Sequence, residues 1–376
     1  MAANVGFQLP TWAMLSAEQE TIVNMPTTKD YVVQGSPGTG KTVMALYRAA
    51  RIAQRDDCDV TILVYNRPLM MYMQTATEGN SLFKKVKIST YHSWLNELYK
   101  QKFNTSAPKL DRFEFDWNKV VSDASKIAKC KNHIIIDEAQ DFPIELIQAL
   151  KIISKNITCF IDPNQAIEAG KTDVTDALKK LCVECPKSLM TNYRNTKPIA
   201  ELSKVYWNGK GCFAEPNQSG AGAIKPRMIR CSDFDDQREK MVKIIKANKE
   251  KTIGVLVNNK SLNVTFNGLK EELDGEVEVE MFKAMAKTDE INFNTKGVKV
   301  LSFGTMKGLE FDLVIVGRFE KMKSTGDPDA DVNRAYVAIT RACKELCICY
   351  FDTRCTAGWA DVMHQITTNK DLCKWE

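Results

Sequence analysis

The sequence predicts an α/β protein of two domains, each a mostly parallel sheet flanked by helices. Three observations lead there. Short apolar runs of the fully buried kind alternate with helical patterns along the chain. One strand-to-helix turn carries a glycine-rich loop, Gly35-Ser36-Pro37-Gly38-Thr39-Gly40-Lys41-Thr42. Finally, 376 residues exceed what one hydrophobic core usually organises. The expected division is residues 1–187 and 188–376, with a small subdomain at about 95–131.

Composition narrows the class. Hydrophobic residues at 44% and charged residues at 26% place the chain among ordinary globular proteins. A net charge of +5 tolerates a polyanionic partner without requiring one. No apolar run approaches a membrane span, and residues 1–10 show no basic segment followed by an apolar one. No membrane partner is expected, and the expected location is cytoplasmic. Twelve cysteines are present, but Cys182-x-x-Cys185 finds no second such pair. Reduced thiols are therefore expected, with no metal held by cysteine.

Taken in order, residues 11–25 start a helix with Ser16 as its N-cap. Gln19 in that helix reads as a solvated residue unless a nucleotide base lies near it. Tyr31-Val32-Val33 is a strand, and residues 43–53 form the helix after the glycine-rich loop. The spacing G-x-x-x-x-G-K-T fits a phosphate-binding loop, whose backbone N–H groups and helix dipole attract anions. Lys41 would reach the β- and γ-phosphates, and the Thr42 hydroxyl would ligate Mg²⁺.

Residues 60–65 form a second strand that ends in Asn66-Arg67-Pro68, a polar loop at a strand's carboxyl end, where open α/β sheets bind ligands. Residues 86–89 form a third, running into Thr90-Tyr91-His92-Ser93-Trp94. His92 has two open readings, a structural histidine or a contact to nucleic acid among aromatic neighbours. Residues 101–131 carry Phe103, Phe113, Phe115 and Trp117 as anchors, either in a small subdomain or on connecting helices.

Residues 133–136 form a buried strand that runs into Asp137-Glu138-Ala139-Gln140-Asp141. Downstream of a phosphate loop, Asp137 would hold Mg²⁺ and Glu138 would orient or deprotonate the attacking water. Gln165 leaves the strand at 159–161, placed to sense a γ-phosphate. The second half repeats the alternation, with strands at 252–257, 298–302 and 311–316 and helices at 261–273 and 333–341, but no second phosphate loop.

This ordered series resembles superfamily 1 helicases of the UvrD/Rep type. It runs through the phosphate loop, Asp137-Glu138-Ala139-Gln140-Asp141, Gln165, Asn192-Tyr193-Arg194, Lys307 to Asp312 and Tyr336 to Ala342. The resemblance implies two RecA-like P-loop NTPase domains with ATP and Mg²⁺ in the cleft between them. Residue by residue, it implies that Gln19 reads adenine and Tyr193 stacks on it. Glu310 would contact the ribose, while Arg194 and Arg341 would reach the γ-phosphate. Asn66, Thr90 and His92 match positions lining a single-strand track, with Arg67 beside them. The implied activity is ATP-driven movement on single-stranded nucleic acid, DNA favoured over RNA, with 3′-to-5′ polarity.

The chain also departs from that pattern. The short intervals from His92 to Asp137 and from Arg194 to Ser302 leave no room for the insertions of larger relatives. Residues 166–170 lack the base-stacking aromatics expected after Gln165, and Gly304 stands where a strand-contacting histidine is usual. A second class of function is therefore kept. It is an ATPase switch that controls a protein partner, such as a nuclease or a defence effector, with little unwinding.

Overall fold

The structure is a computed structural model describing residues 9–56, 58–111, 114–130, 132–166, 172–217, 222–282, 296–322, 325–352 and 359–376. The chain forms two compact units, Leu9–Met190 and one containing Thr191–Glu376.

The first unit runs α1 (Ala17–Val23), β1 (Tyr31–Gly35), α2 (Lys41–Asp56), β2 (Val60–Val64), α3 (Arg67–Thr77), β3 (Val86–Thr90) and α4 (Tyr91–Phe103). It continues through α5 (Trp117–Ala124), β4 (His133–Ile136), α6 (Ile144–Ile153), β5 (Asn156–Ile161), α7 (Val174–Leu181) and β6 (Lys187–Leu189). The sheet order is β3-β2-β4-β5-β1-β6, and every pairing is parallel. Parallel neighbours need crossover connections, which the helices supply. All six strands therefore point the same way. Their carboxyl ends bring the loops after β1, β4 and β5 together at the middle of one edge.

Among the described residues, 95–111 and 114–130 form no separate core. Leu95, Tyr99, Phe115, Val120 and Ala124 pack with Leu146, Leu150 and Ile153 of α6 in the main core of the unit. Of the aromatic anchors expected there, Phe113 lies outside the described residues. Strand β6 pairs with β1 from Val33↔Lys187 to Gly35↔Leu189, so the chain leaves the first unit after this strand.

The second unit opens with two short parallel strands, β7 (Thr191–Asn192) and β8 (Glu215–Pro216), with α8 (Lys197–Lys204) between them in sequence. Then come β9 (Arg227–Arg230), α9 (Phe234–Lys246), β10 (Thr252–Val257), α10 (Leu262–Glu272), β11 (Val279–Met281), β12 (Gly297–Ser302) and β13 (Phe311–Val316). The chain finishes with α11 (Pro328–Ile339), β14 (Ala342–Tyr350), α12 (Ala360–Thr368) and β15 (Lys374–Trp375). The larger sheet is also parallel throughout, in the order β11-β12-β10-β13-β14-β9-β15. Gly254 in β10 lets the Phe311 ring lie across the strand, since a Cβ there would meet the ring at 2.5 Å.

The helix expected at 333–341 differs from α11 at both ends. It starts at Pro328, where Asp327 caps it by accepting from Asp329 N–H at 3.0 Å and proline occupies the first turn. It ends at Ile339, leaving Arg341 just beyond it. Among the described residues, no helix is long and apolar enough to cross a membrane.

Candidate nucleotide site

The phosphate loop joins β1 to α2, with Gly38 and Gly40 at φ 79° and 85°. Both lie in the left-handed region that side chains disfavour. At Gly40 space is restricted too, because a Cβ would approach Gln19 Nε2 to 2.8 Å. The Lys41 ammonium is buried and donates to Gly35 O at 2.8 Å and Ser36 O at 3.4 Å. It also lies 3.8 Å from Asp162 Oδ2. Thr39 Oγ1 donates back to Ser36 O at 2.9 Å, closing the loop on itself.

Strand β4 lies between β2 and β5, and β1 follows β5, so the loop after β4 comes close to the start of α2. Thr42 Oγ1 donates to Asp137 Oδ2 at 2.8 Å. Glu138 has φ 55°, in the left-handed region. For a residue other than glycine this costs about 1–3 kcal/mol and needs surrounding contacts to hold it. Gln140 supplies one. Its Nε2 donates to Glu138 Oε2 at 2.6 Å, while its Oε1 accepts from Asp162 N–H at 3.0 Å. One buried glutamine thus ties the end of β4 to the end of β5.

After β5, Asp162 accepts from Asn164 N–H at 3.0 Å and from Gln165 Nε2 at 2.8 Å. Asp137, Glu138, Asp162 and Gln165 are all buried. Burial, followed by the Glu138 charge, pushes the Asp137 carboxyl up to about 7, against the Thr42 hydrogen bond and the Lys41 charge. Burial likewise raises Asp162, with Lys41 opposing. Three buried carboxyl groups therefore converge near one ammonium. Such a surplus of negative charge fits a divalent cation, and the oxygen donors of Thr42 and Asp137 suit Mg²⁺.

Gln19 is buried, unlike a solvated helix residue. Its Nε2 donates to Thr39 O at 3.2 Å. Its Oε1 accepts from Ser16 N–H at 3.2 Å, and Ser16 Oγ accepts from Gln19 N–H at 3.2 Å. That reciprocal capping box holds α1 against the phosphate loop.

In the second unit, Arg194 Nε donates to Glu310 Oε2 at 2.6 Å. Asn192 Oδ1 accepts from the N–H groups of Arg194 and Asn195 at 3.0 and 3.1 Å. Asn195 Nδ2 then donates to Thr340 O at 3.2 Å and Ala342 O at 2.6 Å. Arg341 is buried, donating to Val337 O at 3.1 Å and Leu309 O at 3.2 Å. Arg194, Glu310 and Arg341 thus share one bonded neighbourhood, which Asn192 and Asn195 organise. Half-buried Tyr193 precedes Arg194 in it.

The four residues matched to a nucleic-acid track divide into two kinds. Asn66 caps α3 by accepting from Leu69 N–H at 2.9 Å, and Thr90 caps α4 by accepting from Ser93 N–H at 3.3 Å. Arg67 and His92 are exposed at the same sheet edge. The His92 ring lies 3.8 Å from that of Tyr91 and 5.5 Å from Phe115, and Tyr91 stacks on Tyr65 at 5.8 Å. Residues 167–170, part of the stretch without aromatics, lie outside the described residues.

Residues 19–171, which contain the phosphate loop, the acidic cluster and Gln165, match the AAA domain family. The matched residues lie within the first unit. No curated protein sequence matches the chain. Among solved structures, Saccharomyces cerevisiae Dbp5 bound to RNA and ADP BeF3 is similar at 15% identity and a TM-score of 0.57, over 96% of this chain and 89% of that one. The C-terminal domain of a possible DNA helicase from Lactobacillus plantarum WCFS1 aligns at 16% identity and a TM-score of 0.36, over 49% of this chain and 98% of that one. Arterivirus nonstructural protein 10, a helicase, aligns at 12% identity and a TM-score of 0.43, over 89% of this chain and 61% of that one. At these identities the likeness to Dbp5 is one of fold, namely parallel sheets flanked by helices.

Proposed function

We propose that the chain is an ATP-dependent nucleic-acid motor, a UvrD/Rep-like helicase or single-strand translocase that hydrolyses ATP to ADP and phosphate. One observation carries this reading: Lys41, Thr42, Asp137, Glu138 and Gln165 meet at the carboxyl ends of three adjacent strands. The phosphate loop binds the phosphates, and the Lys41 ammonium turns from its loop carbonyls to the β- and γ-oxygens. Thr42 and Asp137 would hold Mg²⁺, which when bound neutralises charge on the phosphate oxygens. Glu138, fixed by Gln140, accepts the proton of the attacking water, and Gln165 senses the γ-phosphate. Tyr193 and Glu310 are assigned to base and ribose. Arg194 and Arg341 are assigned to charge developing on the transferred group. The track is assigned to Arg67 and His92, beside the helix caps Asn66 and Thr90, with single-stranded DNA favoured and 3′-to-5′ movement.

A specific observation favours the second reading, an ATPase switch acting on a protein partner. Two of the four track residues, Asn66 and Thr90, use their side-chain oxygens to cap helices. The discriminating experiment is steady-state ATP hydrolysis with and without single-stranded DNA and RNA, with Lys41→Ala as the inactive control. Strong stimulation by one strand type, falling steeply with salt, supports the motor and names its track. Hydrolysis that neither strand changes supports the switch.

A further inference from the structure

We propose that Asp56, Cys58 and His133 form a binding site for a zinc-type cation at the amino-terminal edge of the first sheet. Their donor atoms, a carboxylate oxygen, a thiol sulfur and a ring nitrogen, all lie within 4.8 Å of one another. Ligands around tetrahedral zinc sit about 3.3–3.8 Å apart, given its bond lengths, so small side-chain movements would close the set. The mixture of nitrogen, sulfur and oxygen suits zinc and disfavours magnesium.

The second observation is His133 itself. Its side chain is 2% exposed, and Nε2 is buried without a hydrogen bond. That nitrogen faces Asp56 Oδ2 at 3.4 Å. Lys155 and Thr27 both donate hydrogen bonds to the Asp56 carboxylate. Arg48 also adds positive charge near His133.

The competitor for this site is Lys155, whose ammonium lies 3.0 Å from Asp56 Oδ2. Its side chain is 42% exposed and can turn into solvent, while Thr27 keeps the other carboxylate oxygen at 2.9 Å. On binding, the Cys58 thiol would release its proton to solvent, and a fourth position would remain for water. The cation would join the last residue of α2 to the first residue of β4. At their other ends those elements lead to Lys41-Thr42 and Asp137-Glu138. Occupancy would therefore brace the two supports of the nucleotide site from the opposite edge of the sheet.

The test is a Co²⁺ titration of the full chain in excess Mg²⁺, followed by thiolate-to-cobalt absorption, then displacement by Zn²⁺ and melting with and without Zn²⁺. Cys182 and Cys185 are exposed, so the background carries Cys182→Ser and Cys185→Ser. The expected result is one equivalent bound and a higher Tm with Zn²⁺. Cys58→Ser should remove the absorption, and His133→Asn should weaken binding by about 10–100-fold or more. Lys155→Met should tighten binding, a gain that a misfolded variant could not produce. No cobalt absorption, or absorption that survives Cys58→Ser, would overturn the proposal.

Discussion

Glu138 sits in a left-handed backbone conformation, with its carboxylate bound by Gln140 and its neighbour Asp137 bound by Thr42. Glu138→Gln keeps that shape and an acceptor for Gln140, but loses the proposed base. ATP binding should persist while hydrolysis falls by about 10²–10⁴-fold. Phosphate release at the wild-type rate would remove Glu138 from the mechanism. Asp137 makes a separate prediction. Its folded pKa, raised to about 7 chiefly by burial, means the folded protein holds an extra proton between about pH 4 and pH 7. Stability without nucleotide then falls as pH rises through that window. Asp137→Asn should melt above wild type at about pH 8 but not at about pH 4, and should not turn over ATP. Equal melting at both pH values would mean that Asp137 is not strained as a buried charge. That Lys41, Thr42 and Asp137 come together was legible, because each sits in a motif with fixed local spacing after a strand. Gln140 and Asp162 were not, because a bond between the ends of β4 and β5 depends on sheet order, which no local pattern states.

Helix α1 shows how an element can matter more than its motif suggests. Ser16 and Gln19 cap it reciprocally, and the Gln19 amide reaches Thr39 O in the phosphate loop. The sequence pattern revealed the N-cap but left Gln19 looking solvated, since its burial comes from packing α1 beside that loop. Gln19→Ala should weaken ATP binding by about tenfold, the scale of one lost buried hydrogen bond. GTP binding should change little if Gln19 reads adenine, and fluorescent-nucleotide competition checks both. An equal loss for ATP and GTP would make Gln19 a loop brace alone. The caps of α3, α4 and α11 tell the complementary story. Asn66, Thr90 and Asp327-Pro328 are ordinary helix-start signals, yet the reading from sequence assigned the first two to a strand track and began α11 at 333. The side-chain oxygens of Asn66 and Thr90, which the resemblance places on a strand track, also cap the chain.

At the scale of the whole molecule, each unit has its own parallel sheet and buried core, so the first can be tested without the second. Residues 9–190 contain the phosphate loop, Thr42, Asp137, Glu138 and Gln165, everything assigned to phosphate and cation binding. Arg194, Glu310 and Arg341 belong to the other unit, held near one another by Asn192 and Asn195. A fragment spanning 9–190 should therefore bind ATP but hydrolyse it at close to background. Guanidinium donors of this kind are worth about 10³–10⁵ in turnover where they contact the transferred phosphoryl group. In the full chain, Arg341→Ala should lower kcat with little change in ATP affinity. Because Arg341 also donates to Val337 O and Leu309 O, its Tm must be measured alongside. Arg341→Lys, which restores charge without the planar fork, separates the two roles: recovered stability with kcat still low would assign the guanidinium to chemistry. A fragment that hydrolyses ATP as fast as the full chain would instead confine catalysis to the first unit and leave both arginines as scaffold.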